Sequence, residues 1–582
     1  MDKSTLSHYG WVVIVIIVIT ILMGFSASMG YFVSDSTVAT LETFDNLSDF
    51  SHAETNKPTD TPDTPVIDEV ITNVSDEEIE TNPLVYGIGA TKREYVIATF
   101  NEGYTEVTIT KNGEESDGLM VDWTNPTVPF EQPMFTHRKT LTKMTVEPGV
   151  RNMGNYCAIN TPNLKNLTLP EGLEKIGNNS FWGSGITALE LPSTVKELGT
   201  NSFAECAGLT SFSLNDGLEI IGHNSFYLCK NIKQDIVIPN SVRFIGGFAF
   251  GSDSSTMGFT GLYLGNSVEF IGNGAFQICH NVANEVQLPD SLKVIGDFAF
   301  NHMMNVKTEV LKIPAGVIQI GGVKHDKNIT LENYLDIVPF ETGTHTFYDF
   351  GRFTFKAVDV DEDNQYYKDI DGVLFSKDGT RFICYPSNKP GREYEIPEGV
   401  TKIDELAFYS YTGVEKNYLK VITIPDSLDI ELPVAGTNIL NICNTITNAL
   451  YSYSGVEEIR VKPTNTKYMV EDGCLYSLDG TRCLYIPTYR NVVNIREGCT
   501  TIDAAYFPLG ETLRAEKDIN FTFNIPASVT SIPDYTLPQY PDESTLNYIN
   551  RSVDTKSYNF VLNIDPANPV YTVDADGHIA LK

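Results

Sequence analysis

The stretch IVIPNSVRFIGGFAF (236–250) and its near copy VQLPDSLKVIGDFAF (286–300) decide the fold. The same wording runs through LTLPEGLEKIGNNSF (167–181), LELPSTVKELGTNSF (189–203), FSLNDGLEIIGHNSF (212–226), LYLGNSVEFIGNGAF (262–276) and LKIPAGVIQIGG (311–322). Phe181, Phe203, Phe226, Phe250, Phe276 and Phe300 fall at intervals of 22, 23, 24, 26 and 24 residues. A fixed period in the twenties is the mark of a solenoid, in which no unit buries its apolar face alone and stacking makes one continuous core.

One unit shows how. Apolar-x-apolar (Leu189, Leu191) is a short strand with alternate side chains pointing inward. Pro170, Pro192, Pro239, Pro289 and Pro314 end the strand, because proline donates no ladder hydrogen bond. A second apolar pair closed by glycine (Ile221-Gly222, Ile245-Gly246, Ile271-Gly272, Ile295-Gly296) turns the chain, and the Phe fills the interior. The expected fold is mainly β: a right-handed, leucine-rich-repeat-type β-solenoid with inserted β-hairpin elements, preceded by one transmembrane helix. Asn215 and Gly265 depart from the pattern at the Pro position, and residues 322–356 and 430–456 fit no repeat.

The I-P-x-x-V-x-x-I-G-x-x-A-F wording resembles the BspA-type leucine-rich repeat family of surface proteins. It returns at YEIPEGVTKIDELAF (394–408, ending on Phe408), ITIPDSLDIELP (422–433) and NIPASVTSIPDY (524–535). A family-like insert, DNQYYKDIDGVLFSKDGTRFICYPSNK (363–389), recurs as TNTKYMVEDGCLYSLDGTRCLYIPTYR (464–490), and its Asp-Gly steps read as tight hairpin turns. A truncated third copy begins at NPVYTVDADGHIALK. The resemblance implies adhesion and partner binding at a cell surface.

Upstream, no Asp, Glu, Lys or Arg occurs from Ser4 to Ser34, and the apolar run Trp11–Phe25 extends to Val33, enough to span a bilayer. It reads as a signal anchor over 9–33 after a short cytoplasmic tail (1–8), or as a signal peptide cleaved near Ser26-Ala27-Ser28. Residues 34–82 carry 13 acids and one Lys, an acidic Pro/Thr-rich stalk expected to be disordered. A β-rich cap (83–140), repeats over 141–340, and further repeats over 341–582 with hairpin inserts at about 357–390 and 458–491 complete the organisation. The expected location is the cell membrane, single-pass, with the bulk of the chain outside.

A net charge of −34 argues against nucleic acid as a partner, since such binding rests on neutralising phosphates. No HExxH, GxxxxGK[ST] or GxSxG occurs, and no cofactor is implied. Tyr86-Gly87-Ile88-Gly89 begins like a dinucleotide loop, but Lys92 stands where a third Gly is needed, so a loop entering the first β-element is the better reading. Asp359, Asp361 and Asp363 alternate, without the Gly and Glu of an EF-hand, and read as a solvated strand edge. Cys206, Cys229 and Cys279 follow the repeat Phe by three residues and read as small core hydrophobes; Cys474 and Cys483 are the best disulfide candidates. The outward strand column is Thr168, Glu190, Ser213, Val237, Tyr263, Gln287 and Lys312, of which Glu190, Ser213, Tyr263, Gln287 and Lys312 are the candidate binding residues. The leading expectation is a non-enzymatic, membrane-anchored protein that binds an extracellular protein or glycan. A self-assembling envelope component is the alternative, and a glycan hydrolase a distant third.

Overall fold

The structure, a computed structural model, describes residues 71–123, 132–252, 257–303, 305–321, 330–331, 355–386, 388–404, 407–408, 419–429, 456–487, 490–503, 520–532 and 559–582. All belong to one compact unit that begins at Ile67. The segment 9–33 lies outside them; among the described residues no helix is long and apolar enough to cross a membrane.

The expected stalk overlaps the folded unit. Ile71–Thr72 pairs in parallel with Lys111 and Asn112. Asp76–Thr81 is a helix whose N-cap, the Ser75 hydroxyl, accepts from the Glu78 amide at 3.2 Å, and whose Ile79 packs on Val85 and Ile97. Three acids at the first turn suit the positive end of the helix dipole. The acids that make 34–82 look disordered therefore support structure over its last dozen residues. Val85–Gly87, Val96–Phe100 and Glu106–Asn112 form an antiparallel sheet, so Tyr86-Gly87 lies in a strand, not in a loop.

Glu106–Asn112 then pairs in parallel with Lys143–Val146, the first coil. From there the chain builds two parallel ladders. The second ladder is an unbroken eight-stranded sheet from Asn152–Met153 to Gln319–Ile320, one strand per coil. The first carries the strands before each Pro, among them Ala188–Glu190 against Ser211–Ser213 and Ile236–Val237 against Leu262–Tyr263. Between them lies the phenylalanine column, fully buried, with ring centroids 5.3, 5.7, 5.3, 5.7 and 5.7 Å apart from Phe181 to Phe300. Phe408 is buried too, but stacks on Phe382 at 4.7 Å, outside that column.

The repeat glycine has a different reason from the one its position implies. Gly222, Gly246, Gly272 and Gly296 are not left-handed; that conformation falls two residues later, on Asn224, Phe248, Gly274 and Phe298. The glycine is needed because coils touch there: a Cβ on Gly246 would lie 2.4 Å from the His223 amide nitrogen, and one on Gly272 2.4 Å from that of Gly247. Gly246→Ala is expected to cost about 1–3 kcal/mol, the range for overpacking, read as a lowered melting temperature; an unchanged melt would contradict the close approach.

The cysteine column is hydrogen-bonded: Cys206 and Cys229 thiols donate to the Phe181 and Phe203 carbonyls at 3.2 and 3.1 Å. All eight described cysteines are buried, and Cys474 and Cys483 are not bridged to each other.

The duplicated insert is not a hairpin projecting from the coils. Tyr367–Ile370, Val373–Ser376 and Arg381–Cys384 form an antiparallel meander whose last strand pairs in parallel with Lys402–Ile403, taking the place of a second-ladder strand. Its strands face two cores: Leu374, Ile383 and Cys384 pack upstream, Val373, Phe375 and Phe382 downstream. The meander is thus a wall across the solenoid. Its copy divides the next core from the last, with Leu475, Leu484 and Tyr485 on one face and Cys474, Tyr476 and Cys483 on the other. Each wall is pinned by an arginine on a buried carboxylate: Arg381 Nε and Nη2 donate to Asp404 at 2.5 and 2.8 Å, and Arg482 Nε to Asp503 at 2.6 Å.

A buried asparagine clamps coils at three places, and a fourth, half-buried asparagine makes only part of the clamp. Asn364 Nδ2 donates to the Pro314 and Val317 carbonyls of the preceding coil (2.9 and 3.0 Å) while Oδ1 accepts from the Tyr366 and Tyr367 amides. Asn568 repeats this on Pro526 and Val529. Asn215 does so on Pro192 and Val195, which explains why it can replace the repeat proline. At Asn465 Oδ1 is engaged by the Lys467 and Tyr468 amides, but Nδ2 has no partner among the described residues.

Candidate ligand-binding face

The strand alternation of the first ladder sends Leu189, Phe212, Ile236, Leu262, Val286 and Leu311 inward, and Glu190, Ser213, Val237, Tyr263, Gln287 and Lys312 outward. The five candidate residues are all exposed on this face. The register joins Glu190 to Ser213, Val237 to Tyr263, and Lys312 to Asp359. Asp361 and Asp363 lie beyond the strand in a turn, where Asp361 accepts from the Asp363 amide.

The face falls into sections of different chemistry. Near the cap, Thr108, Thr145 and Thr168 are in register, beside a Glu106–Lys143 pair at 3.3 Å. Beyond the first wall it is covered by ion pairs: Arg460 reaches Glu458 and Glu393 (2.8 and 3.1 Å), and Lys462 reaches Glu395 and Glu398, both at 2.9 Å. Hydrogen bonds to Glu398 and Glu395 hold the Lys462 ammonium above its ordinary value, and those to Glu458 act likewise on Arg460. At the last coils an amide ladder runs from Asn563 to Asn524 to Asn494 (2.8 and 2.7 Å).

The central section is bare. Val237 is 58% exposed, Tyr263 49% and Val310 45%; with Val492 and Val561 they put five of the nine exposed large hydrophobic side chains of the described residues on this one face. Singly exposed apolar residues are ordinary; their concentration on one surface is not.

This section is also an island. Between the strands at 212 and 236, the Gln234 side-chain amide bridges both main-chain groups of Phe212, at 3.1 and 2.7 Å. Asn284 does the same for Leu262, at 2.9 and 2.8 Å, and the Thr308 hydroxyl for Val286. A side-chain amide thus stands in for a peptide unit on either side of the Val237–Tyr263 pair. The signal was present as Gln-Asp-Ile, Asn-Glu-Val and Thr-Glu-Val before the strand, but no periodicity rule gives it meaning. The outward face of the second ladder is different: Phe244, Phe270 and Val294 are covered there, with Leu331 packed against them.

Two ladders around an inward aromatic column, repeating once per coil, define a leucine-rich-repeat solenoid. Residues 130–257 and 254–336 match, as six copies, the family described as the BspA type leucine rich repeat region. The chain carries BspA-type leucine-rich repeats. No curated protein matches it. Among solved structures, a leucine rich cell surface protein of Faecalibacterium prausnitzii is similar at 20% identity over 80% of this chain and 99% of its own, with a TM-score of 0.35. A leucine-rich repeat protein of Bacteroides ovatus is similar at 15% identity over 80% of this chain and 98% of its own, TM-score 0.36. The pneumococcal vaccine antigen PcpA is similar at 14% identity over 81% and 97%, TM-score 0.23.

Proposed function

We propose that this chain is a membrane-anchored cell-surface protein whose solenoid binds an extracellular protein or glycan and performs no catalysis. The observation that carries the reading is the concentration of exposed apolar side chains at Val237, Tyr263 and Val310 on the first ladder. The family resemblance supports a surface location and a binding role, and the apolar segment 9–33 supports attachment. Solenoids use such extended faces for recognition. Retention of the chain on immobilised mucin stripped of sialic acid and sulfate, which still offers both protein and glycan, tests the role. The wild type is expected to be retained, and Val237→Glu with Tyr263→Ser to weaken retention about tenfold or more, the effect of losing a central contact. Equal retention of both forms would remove this face from the account.

A further inference from the structure

The carboxylates of the first ladder's outward face divide into two kinds. Toward both ends several are ion-paired: Glu106 with Lys143, Glu309 with Lys356, Glu393 and Glu458 with Arg460, Glu395 and Glu398 with Lys462. In the central section they are not. Glu190 and Glu285 are exposed and make no ion pair among the described residues; Asp235 accepts only the Thr260 hydroxyl, at 2.6 Å. Gly261 stands beside Asp235 in the register with no side chain, and a Cβ there would lie 2.7 Å from Asp235 Oδ1, so the carboxylate leans over bare backbone. Asp235 thus adjoins the strand of the exposed Val237, Glu285 lies in the coil after Tyr263, and Glu190 lies two coils upstream of Val237, opposite Ser213; Lys312, opposite Asp359, marks where the section ends.

We infer that this central section is a docking site for a basic, extended protein segment in which Arg or Lys and aliphatic residues alternate at every second position, so that both kinds share one face. The inference rests on the binding role proposed above and names its partner. An extended segment alternates side chains with period two, the period that places Asp235 and Val237, or Gly261 and Tyr263, side by side on one strand. A cationic head over Tyr263 gains from the ring face as well as from the carboxylates. A polyanion is repelled, and a neutral glycan leaves the three carboxylates without a charged partner. The opposite sign of partner and face also speeds encounter, so binding weakens with salt.

The test uses the full chain and a fluorescein-labelled peptide repeating Arg-Ser-Val-Ser, with a peptide of the same length in which citrulline replaces Arg, and dextran, as comparisons. Wild type is expected to bind the Arg peptide, more weakly as salt rises, and to discriminate at least about tenfold against citrulline. Asp235→Asn with Glu285→Gln is expected to abolish that discrimination. Glu102→Gln with Glu114→Gln, which removes the same charge from exposed cap positions, is expected to keep it. Equal loss in both variants would show a bulk-charge effect and overturn the site. Equal binding of the citrulline peptide, or binding of dextran alone, would overturn the cationic partner. Retention on mucin that survives Asp235→Asn/Glu285→Gln, with no Arg-peptide binding, would overturn this inference while leaving the broader binding role standing.

Discussion

Phe250→Ala is expected to lower the unfolding free energy by about 3–5 kcal/mol, the cost of a phenylalanine-sized core deletion. Phe250 sits mid-column, stacked on Phe226 at 5.3 Å and Phe276 at 5.7 Å, with Phe259 edge-on at 5.9 Å. In a solenoid each coil is stabilised by its neighbours, so the loss is also one of coupling. Denaturant unfolding of the variant should broaden or split, with the coils on either side of Phe250 melting apart. A loss below about 1 kcal/mol with an unbroken single transition would mean that the column is not the element holding the coils together.

The second large effect belongs to the asparagine clamp. Asn364→Leu keeps the volume but removes four hydrogen bonds; the Pro314 carbonyl keeps the Val317 amide, while the Val317 carbonyl and the Tyr367 amide lose the asparagine, at about 1–3 kcal/mol for each buried group left unpaired. We expect a total loss of about 3–5 kcal/mol once relaxation is allowed for, together with faster amide exchange at Tyr366 and Tyr367. Asn465→Leu provides the internal control: its Nδ2 already lacks a partner among the described residues, so it should cost clearly less. Equal losses at the two positions would show that the donated bonds contribute little and that only the turn held by Oδ1 matters.

Much of this architecture was legible from the chain. The phenylalanine interval was readable because one residue per coil does one job, and the Pro and Gly positions were readable for the same reason. Their physical meaning was less so. The glycines looked like turn formers, whereas the left-handed residues are Asn224 and its equivalents and the glycines answer to the backbone of the preceding coil, a contact no sequence pattern states. The walls were half-visible. Their Asp-Gly turns announced antiparallel strands, while the consecutive apolar run Val373-Leu374-Phe375 was the sign of burial on both faces. Asn215 looked like a lapse in the repeat and is a clamp.

The candidate face divides similarly. Alternation fixed which side chains point outward, and Glu190, Ser213, Tyr263, Gln287 and Lys312 do. It could not rank them, because the ranking depends on which neighbours are neutralised or covered. Gln234 and Asn284, which isolate the central strands, act through side-chain amides that substitute for main chain, and a strand pattern is blind to such substitution. Asp235 and Glu285 gain interest only once several other carboxylates of the face are seen to be paired. The three acids of the helix Asp76–Thr81 show the converse: composition read as disorder what capping turns into structure.

The central claim is that the solenoid is displayed outside a cell and offers its first-ladder face to partners. Brief protease treatment of intact cells, with the released peptides identified by mass spectrometry, tests it most directly. The account predicts peptides from residues 83–582 in the supernatant before any lysis marker appears, with residues 1–33 retained by the cells. Release of those peptides only after lysis would contradict it, and would remove surface display and the extracellular partner together.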